Sequence, residues 1–298
     1  MIQLKNKIGN DIPTIGLGTF PLQGNELAKT IVKSVKVGFR LIDTSDDYRG
    51  ESGVGIALKE LLDMGLRREE MFLQTKITSD DSYSDEPFKG IYFTPNSKFM
   101  QRHTVDEIVR EKVAKSLREM NTDYIDSLLI HLPYPGYIVD IWKAMIELKK
   151  EGIVRYIGVS NFNERHIDKL ISETGVTPEI NELYVSPIGI KQDIVDYCNK
   201  HNILVMPYSP LMDVAHGKIS TEKLQPIMTK YKKSLAQIVL RWNVERGCLP
   251  LPKTKNPIRL AENFNIFDFS LTEDEVKLIS SLNIDNQYLV ESKMCPGL

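Results

Sequence analysis

Cysteine is scarce in this chain of 298 residues. Cys198, Cys248 and Cys295 are odd in number and far apart, which argues against a disulfide framework. No CxxC or His-rich spacing suggests a structural zinc, and no metal is expected. A dominant charge is also lacking: 38 Lys and Arg stand against 40 Asp and Glu, a net of −2. The basic residues are dispersed, so no nucleic-acid face is expected. No uncharged apolar run exceeds strand length, which excludes a transmembrane helix. The opening MIQLKNKIGND has no apolar signal-peptide core. No GxGxxG follows a strand-like run, so a Rossmann site is not indicated. Together these absences predict a cytoplasmic protein in a reducing setting, with no membrane partner.

What is present is an alternation. Short apolar runs at 14–19, 39–43, 71–76, 123–130, 153–159, 178–182, 203–207 and 248–251 read as eight strands. Helical periodicities lie between or after them at 26–37, 51–64, 104–119, 138–150, 163–173, 191–201, 234–246 and 257–263. Strand–helix alternation argues for a parallel α/β architecture, and the length suits one α/β barrel domain over 1–298. Val105, Ile108, Val109, Val113 and Leu117 share one helical face. Thr104 and Glu107 form a capping-box pattern, as do Thr272 and Glu275 before an extra C-terminal helix. The segment IQLKNKIGNDIPTIG reads as an N-terminal β-hairpin turning at Gly9–Asn10 on the barrel floor.

Four polar residues stand at or just beyond the ends of these runs. Asp43 closes FRLID, Lys76 closes MFLQTK, His131 closes YIDSLLIH, and Tyr48 follows Asp43 by five positions. Parallel barrels place their chemistry at carboxyl strand ends, drawing on residues distant in sequence. A free phenol has a pKa near ~10; an adjacent ammonium stabilises the phenolate, and a carboxylate behind it keeps the ammonium charged. Tyr48 would then be a proton donor tuned downward by Lys76, with Asp43 orienting Lys76 and His131 bonding the substrate oxygen. Taken singly, each has a plainer role: Asp43 as a cap, Tyr48 as packing, Lys76 as a solvated charge, His131 as structure.

The connection 78–103 is unusually long and carries Tyr83, Phe88, Tyr92, Phe93 and Phe99. Its place beside Lys76 suggests a substrate-side wall; a self-packed surface excursion or an oligomer contact is the alternative.

The motifs GLGTF (16–20), FRLIDTSDDYRGESGVG (39–55), TK (75–76), LIHLP (129–133), YIGVSNF (156–162), YSPL (208–211) and PKTKNPIRLAENF (252–264) resemble, in order, those of the aldo-keto reductases. The resemblance covers most of the chain. It implies a (β/α)8 TIM barrel that reduces carbonyls with NADPH, with Tyr48 as proton donor and Asp43, Lys76 and His131 in support. By the same resemblance, Ser160 and Asn161 meet the nicotinamide carboxamide, Tyr208 stacks on its ring, and Ser209 and Leu211 approach the pyrophosphate. Gly18, Thr19 and Glu182 border that cofactor site. Lys253, Thr254 and Arg259 match the clamp on the 2′-phosphate, whose two cations and hydroxyl suit a dianion and favour NADPH over NADH. Glu262 and Asn263 match the adenine contacts. Phe20, Tyr83, Phe88, Tyr92 and Leu132 are candidate substrate-pocket walls, with the tail around Tyr288 and Cys295.

Departures from the pattern are specific. Glu182 stands where the motif usually carries glutamine and cannot donate as an amide does. Leu132 and Phe20 replace frequent tryptophans, and Gly50 replaces an asparagine. The short stretch after YSPL, containing His216, argues against a long cofactor lid and predicts fast cofactor exchange. Two other readings stay open: a non-catalytic NADPH-binding regulatory module, as in the potassium-channel β subunits of that family, and a lyase using Lys76 as a Schiff base. The substrate is expected to be a small carbonyl compound and the protein a monomer; sugar ketones, methylglyoxal-like dicarbonyls and lipid aldehydes would meet the same proton donor.

Overall fold

The computed structural model describes residues 12–78, 104–133 and 136–287. The expected N-terminal hairpin, nearly all of the 78–103 connection with Tyr83, Phe88 and Tyr92, and the tail around Tyr288 and Cys295 lie outside the described residues. Seven parallel strands are hydrogen-bonded in chain order: β1 (Gly16–Gly18), β2 (Leu41–Asp43), β3 (Phe72–Ile77), β4 (Ile125–Ile130), β5 (Val154–Ser160), β6 (Ile180–Tyr184) and β7 (Leu204–Tyr208). Their neighbours in sequence are helices: α1 (Gly24–Val37), α2 (Glu51–Asp63), α3 (Val105–Met120), α4 (Ile138–Lys150), α5 (Glu164–Thr174), α6 (Gln192–Lys200), α7 (Met212–Ala215), α8 (Gln225–Tyr231), α9 (Leu235–Glu245), α10 (Pro257–Phe264) and α11 (Glu273–Ser280). The barrel is that of the (β/α)8 reading.

The eighth strand is the one departure from that count. Residues 249–252 close the barrel on both sides: Leu249 and Leu251 N–H donate to Val205 and Pro207 O of β7, and Gly16 and Gly18 N–H of β1 donate to Pro250 and Pro252 O. Pro250 and Pro252 have no N–H to return to β1, so half the ladder on that edge cannot form. The segment is left as a single parallel bridge, Tyr208 to Leu251.

Two apolar clusters follow from the two-residue period of strands. Inward-facing Leu41, Phe72, Leu129, Ile180, Leu204, Met206, Leu249 and Leu251 fill the lumen. The alternate residues pack against the helices in a larger second cluster. Gly158 is required where β5 passes this filling, since a Cβ there would lie 2.6 Å from Ile180 O and 2.7 Å from Leu129 Cδ2. At the floor, buried Asp126 accepts from Arg68 at 2.7 Å, Arg155 at 2.8 Å and Leu73 N–H at 2.9 Å, tying β3, β4 and β5 together.

The capping boxes form as expected. Thr104 and Glu107 exchange bonds at the start of α3, and Thr272 and Glu275 do so at α11. The short α7 and α8 were not anticipated because neither spans enough turns for an apolar period to emerge.

Glu51 opens α2 from a fully buried position, where its Oε1 accepts from Thr75 Oγ1 of β3 at 2.7 Å. Burial pushes its carboxyl up to about 7, against hydrogen bonds from Thr75 and Ser116 that pull it down. In the unfolded chain the same group titrates near ~4.3. Between those values the folded state holds a proton that the unfolded state has lost, so stability falls as pH rises through this window, by about 4 kcal/mol in total. Chemical unfolding at pH ~4.5 and ~8 should show that loss in the native chain and little of it in Glu51→Gln. An equal pH dependence in the two proteins would remove Glu51 as its source.

Candidate active site

The strand ends carry the four expected residues to one mouth of the barrel. Asp43 is the last residue of β2, and Lys76 lies one residue before the end of β3. His131 follows β4 directly, and Tyr48 closes a single 3-10 turn, Asp46–Tyr48, that drops from β2. Lys76 Nζ donates to Asp43 Oδ1 at 2.6 Å and to Thr44 O at 3.0 Å, and lies 3.3 Å from Glu182 Oε2. It is 5.1 Å from the centroid of the Tyr48 ring, and that ring is 5.6 Å from the imidazole of His131.

Gln74 completes the cluster. Its Nε2 donates at 2.9 Å both to Asp43 Oδ1 and to Glu182 Oε2. β3 and β6 are three places apart in the sheet, so side chains of Gln74 and Glu182 can meet only across the lumen. Asp43, Gln74, Lys76 and Glu182 therefore form a buried polar layer above the apolar filling.

Electrostatics divides these groups. Burial pulls Lys76 down, but the carboxyls beside it, Asp43 foremost, outweigh this and hold its ammonium above the ordinary lysine value. Burial raises the Tyr48 phenol, and Lys76 pulls it back only in part. The expectation that Lys76 would carry Tyr48 below its free value does not hold in the resting site. The low-dielectric wall foremost, with Asp43 and Asp47, outweighs one ammonium, so Tyr48 is held firmly as the proton-bearing phenol.

Burial lowers His131, Asp47 opposes that, and Lys76 reinforces it. Ser45 Oγ donates to Asp47 Oδ1 at 2.7 Å and stands 3.3 Å from His131 Nδ1, which is 3.6 Å from Asp47 Oδ1. Ser45, Asp47 and Gln74 were missed from sequence. Gln74 could have been found, since a polar residue two places before Lys76 must share its inward face.

The candidate cofactor residues fall into two groups. At the mouth, Asn161 takes a left-handed φ of 62°, and its Nδ2 donates to Ser160 Oγ at 2.9 Å. Tyr208 OH donates to Asn161 Oδ1 at 3.0 Å, which fixes the ring beside this pair. Thr19 Oγ1 donates to Asp43 O at 2.9 Å. Along the rim, Lys253 and Thr254 follow the barrel-closing segment, and Arg259, Glu262 and Asn263 lie on α10. Gly18 links the groups: a Cβ there would lie 3.1 Å from Leu251 O and 3.7 Å from Lys253 Cβ.

Lys255 pairs with Glu26 of α1 at 2.9 Å. Lys253 and Arg259 are exposed and have no ion-pair partner among the described residues. Ser209, at φ 47°, and Leu211 lead into α7, whose buried Asp213 accepts from Tyr184 OH and from Ser186 Oγ at 2.6 Å. This ties the segment after β7 to the end of β6. Phe20 is half exposed with its ring 5.1 Å from that of Tyr48, and Leu132 is buried behind His131. Among the described residues no cluster of His, Cys, Asp and Glu could hold a metal ion, and no helix is long and apolar enough to cross a membrane.

The chain is similar to known proteins along most of its length. The model of the aldo/keto reductase family matches residues 14–284. The chain is 36% identical over 282 residues to methylglyoxal reductase DkgA of Escherichia coli (strain K12), covering 94% of this chain and 93% of that protein. It is 34% identical over 281 residues to a glyoxal reductase of Bacillus subtilis (strain 168), covering 94% and 92%. Among solved structures, a Bombyx mori aldo-keto reductase in complex with NADP superposes with a TM-score of 0.81 at 31% identity, covering 98% of this chain and 95% of that one. An aldo/keto reductase from Brucella melitensis does so with 0.77 at 34%, covering 91% and 95%.

Proposed function

The chain belongs to the aldo/keto reductase family, and from that premise we propose how its residues divide the work of an NADP-dependent carbonyl reductase. The observation that carries the proposal is the convergence of Tyr48, Lys76, Asp43 and His131 at one mouth of the barrel, with Lys76 held charged by the 2.6 Å bond to Asp43.

The donor set fits NADPH. Lys253 and Arg259 offer two cations free of ion pairs among the described residues, beside Thr254 and the first turn of α10, as a 2′-phosphate requires. Lys253, Thr254 and Arg259 would hold that phosphate, and Glu262 and Asn263 would border the adenine. Ser209 and Leu211 would flank the pyrophosphate. Tyr208 would stack against the nicotinamide, with Ser160, Asn161, Glu182, Gly18 and Thr19 around it. When bound, NADPH supplies the hydride that reduces the carbonyl carbon.

Tyr48 then gives its phenolic proton to the carbonyl oxygen. The phenol is held neutral at rest, which is the form that donates, and the phenolate left behind faces the Lys76 ammonium. Asp43 fixes Lys76 against loss of its proton. His131, oriented by Ser45 and Asp47, presents its other ring nitrogen to the substrate oxygen and helps to hold charge developing there. Phe20 and Leu132 would wall the substrate side.

The lyase reading loses ground on the same geometry. A Schiff-base lysine must reach substrate as a neutral amine, whereas Lys76 is fully buried, bonded to Asp43 and Thr44, and kept charged. The non-catalytic reading is separated by turnover. The relatives named for methylglyoxal and glyoxal reduction support small α-oxoaldehydes as the substrate class.

NADPH oxidation with methylglyoxal, glyoxal and larger aldehydes should proceed in the native chain and fall by roughly 10²–10⁴ in Tyr48→Phe. Equal rates in the two would dismiss Tyr48 as the donor, and inactivity of the native chain with every carbonyl would favour a binding module. In equilibrium titrations Lys253→Ala should weaken NADPH by about tenfold while leaving NADH unchanged. A uniform loss for both nucleotides would mean that Lys253 is not a phosphate ligand.

A further inference from the structure

Glu182 is 1% exposed, and the polar groups that meet its carboxyl among the described residues belong to the buried layer at the barrel mouth. Oε2 accepts from Gln74 Nε2 at 2.9 Å and lies 3.3 Å from Lys76 Nζ. Asp43 Oδ1 receives the same two donors, Nζ at 2.6 Å and Nε2 at 2.9 Å. The carboxyls of Asp43 and Glu182 are linked through the same amide and the same ammonium. Two carboxyls and one ammonium thus share a space closed to water, with an uncharged amide as the bridge.

The charges do not balance if both acids ionise. One ammonium offsets one carboxylate, and a second negative charge would stand uncompensated in a low-dielectric lumen. The sheet neighbours of β6 do not relieve it. In register with Glu182 are Ser160 on β5 and Met206 on β7, neither of them charged. Ser160 Oγ is occupied with Glu182 O, not with its carboxyl. The titratable groups around the cluster are Asp43 of β2, Lys76 of β3, and Asp46, Asp47 and Tyr48 of the turn after β2, with His131 after β4 and Tyr184 farther along β6.

We propose that, of the two carboxyls beside Lys76, Glu182 carries a proton as the neutral acid, and that loss of this proton sets the alkaline limit of carbonyl reduction. Burial first, then Asp43, hold the Glu182 carboxyl well above the ordinary carboxylate range against the pull of Lys76.

The consequence for catalysis is electrostatic. With the proton in place, Lys76 faces one net negative charge and retains attraction for the phenolate that Tyr48 leaves. When the proton departs to solvent, a second carboxylate competes for Lys76 and repels that phenolate, and proton donation by Tyr48 becomes unfavourable. Glu182 is in this sense a positioning residue acting through Lys76. A glutamine at the same place would keep the contact to Lys76 and carry no titrating charge.

The inference rests on Tyr48 as proton donor, and its test separates the two. Infrared difference spectra of the NADP-bound protein in D2O, taken in a Glu51→Gln background so that the other raised carboxyl does not contribute, should contain between neutral and alkaline pH a protonated-carboxyl C=O band that is lost on deprotonation. Glu182→Gln should abolish the band. In the same pH series, native kcat/KM should fall about tenfold per pH unit above the transition. The fall should begin at least one pH unit higher in Glu182→Gln. Gln74→Leu leaves both carboxyls in place but removes the amide that favours their ionised forms, and it should also move the limb upward. Absence of the band from the Glu51→Gln protein, or an alkaline limb unmoved in both Glu182→Gln and Gln74→Leu, would overturn the proposal. Activity surviving in Tyr48→Phe would instead overturn the proton-donor reading, and the infrared band would be unaffected.

Discussion

A lysine ammonium at the centre of a barrel costs several kcal/mol in lost hydration and persists only where acceptors meet it at close range. The 2.6 Å contact of Lys76 with Asp43, backed by Thr44 O, is that condition here. Everything at the mouth depends on it. With the ammonium fixed, Tyr48 has, in the proposed reaction, a charge to leave its phenolate against. Without it, the same phenol would be an ordinary buried tyrosine, held neutral by its surroundings and with no means of becoming an acid. The polar layer also explains the shape of the filling beneath it, where Leu41, Phe72, Ile180 and Leu204 pack without polar atoms to satisfy.

The strand period makes this economical. On β3 the inward positions run Phe72, Gln74, Lys76, passing from apolar filling to bridging amide to buried cation within five residues. On β6 they run Ile180, Glu182, Tyr184. Each strand supplies one residue per level, so a layer of charge can be assembled from distant parts of the chain without distorting any strand. The helices contribute by anchoring. Glu51 of α2 holds Thr75 beside Lys76, and Asp213 of α7 holds the segment after β7 to the end of β6.

Much of this was legible in the sequence because it depends on local rules. Apolar runs separated by amphipathic helices gave the barrel, and Asp43, Lys76 and His131 stood out as polar residues where apolar runs end. The capping boxes at Thr104 and Thr272 were readable from four residues each. What escaped depends on distance in space. No local rule reports that Gln74 reaches Glu182 across the lumen, nor that burial, with the carboxyls near Tyr48, outweighs the single ammonium expected to acidify it. The eighth strand was counted from its apolar residues, while its alternating prolines, visible in the same segment, decide that it pairs by half.

The central claim is that Lys76, fixed by Asp43, makes proton donation by Tyr48 possible. The most direct test is the single-turnover rate of NADPH consumption in Lys76→Met, with NADPH affinity measured on the same sample. The account predicts a rate lower by roughly 10²–10⁴ with affinity changed less than about threefold. A rate close to that of the native chain, or a loss explained by weaker NADPH binding alone, would contradict it.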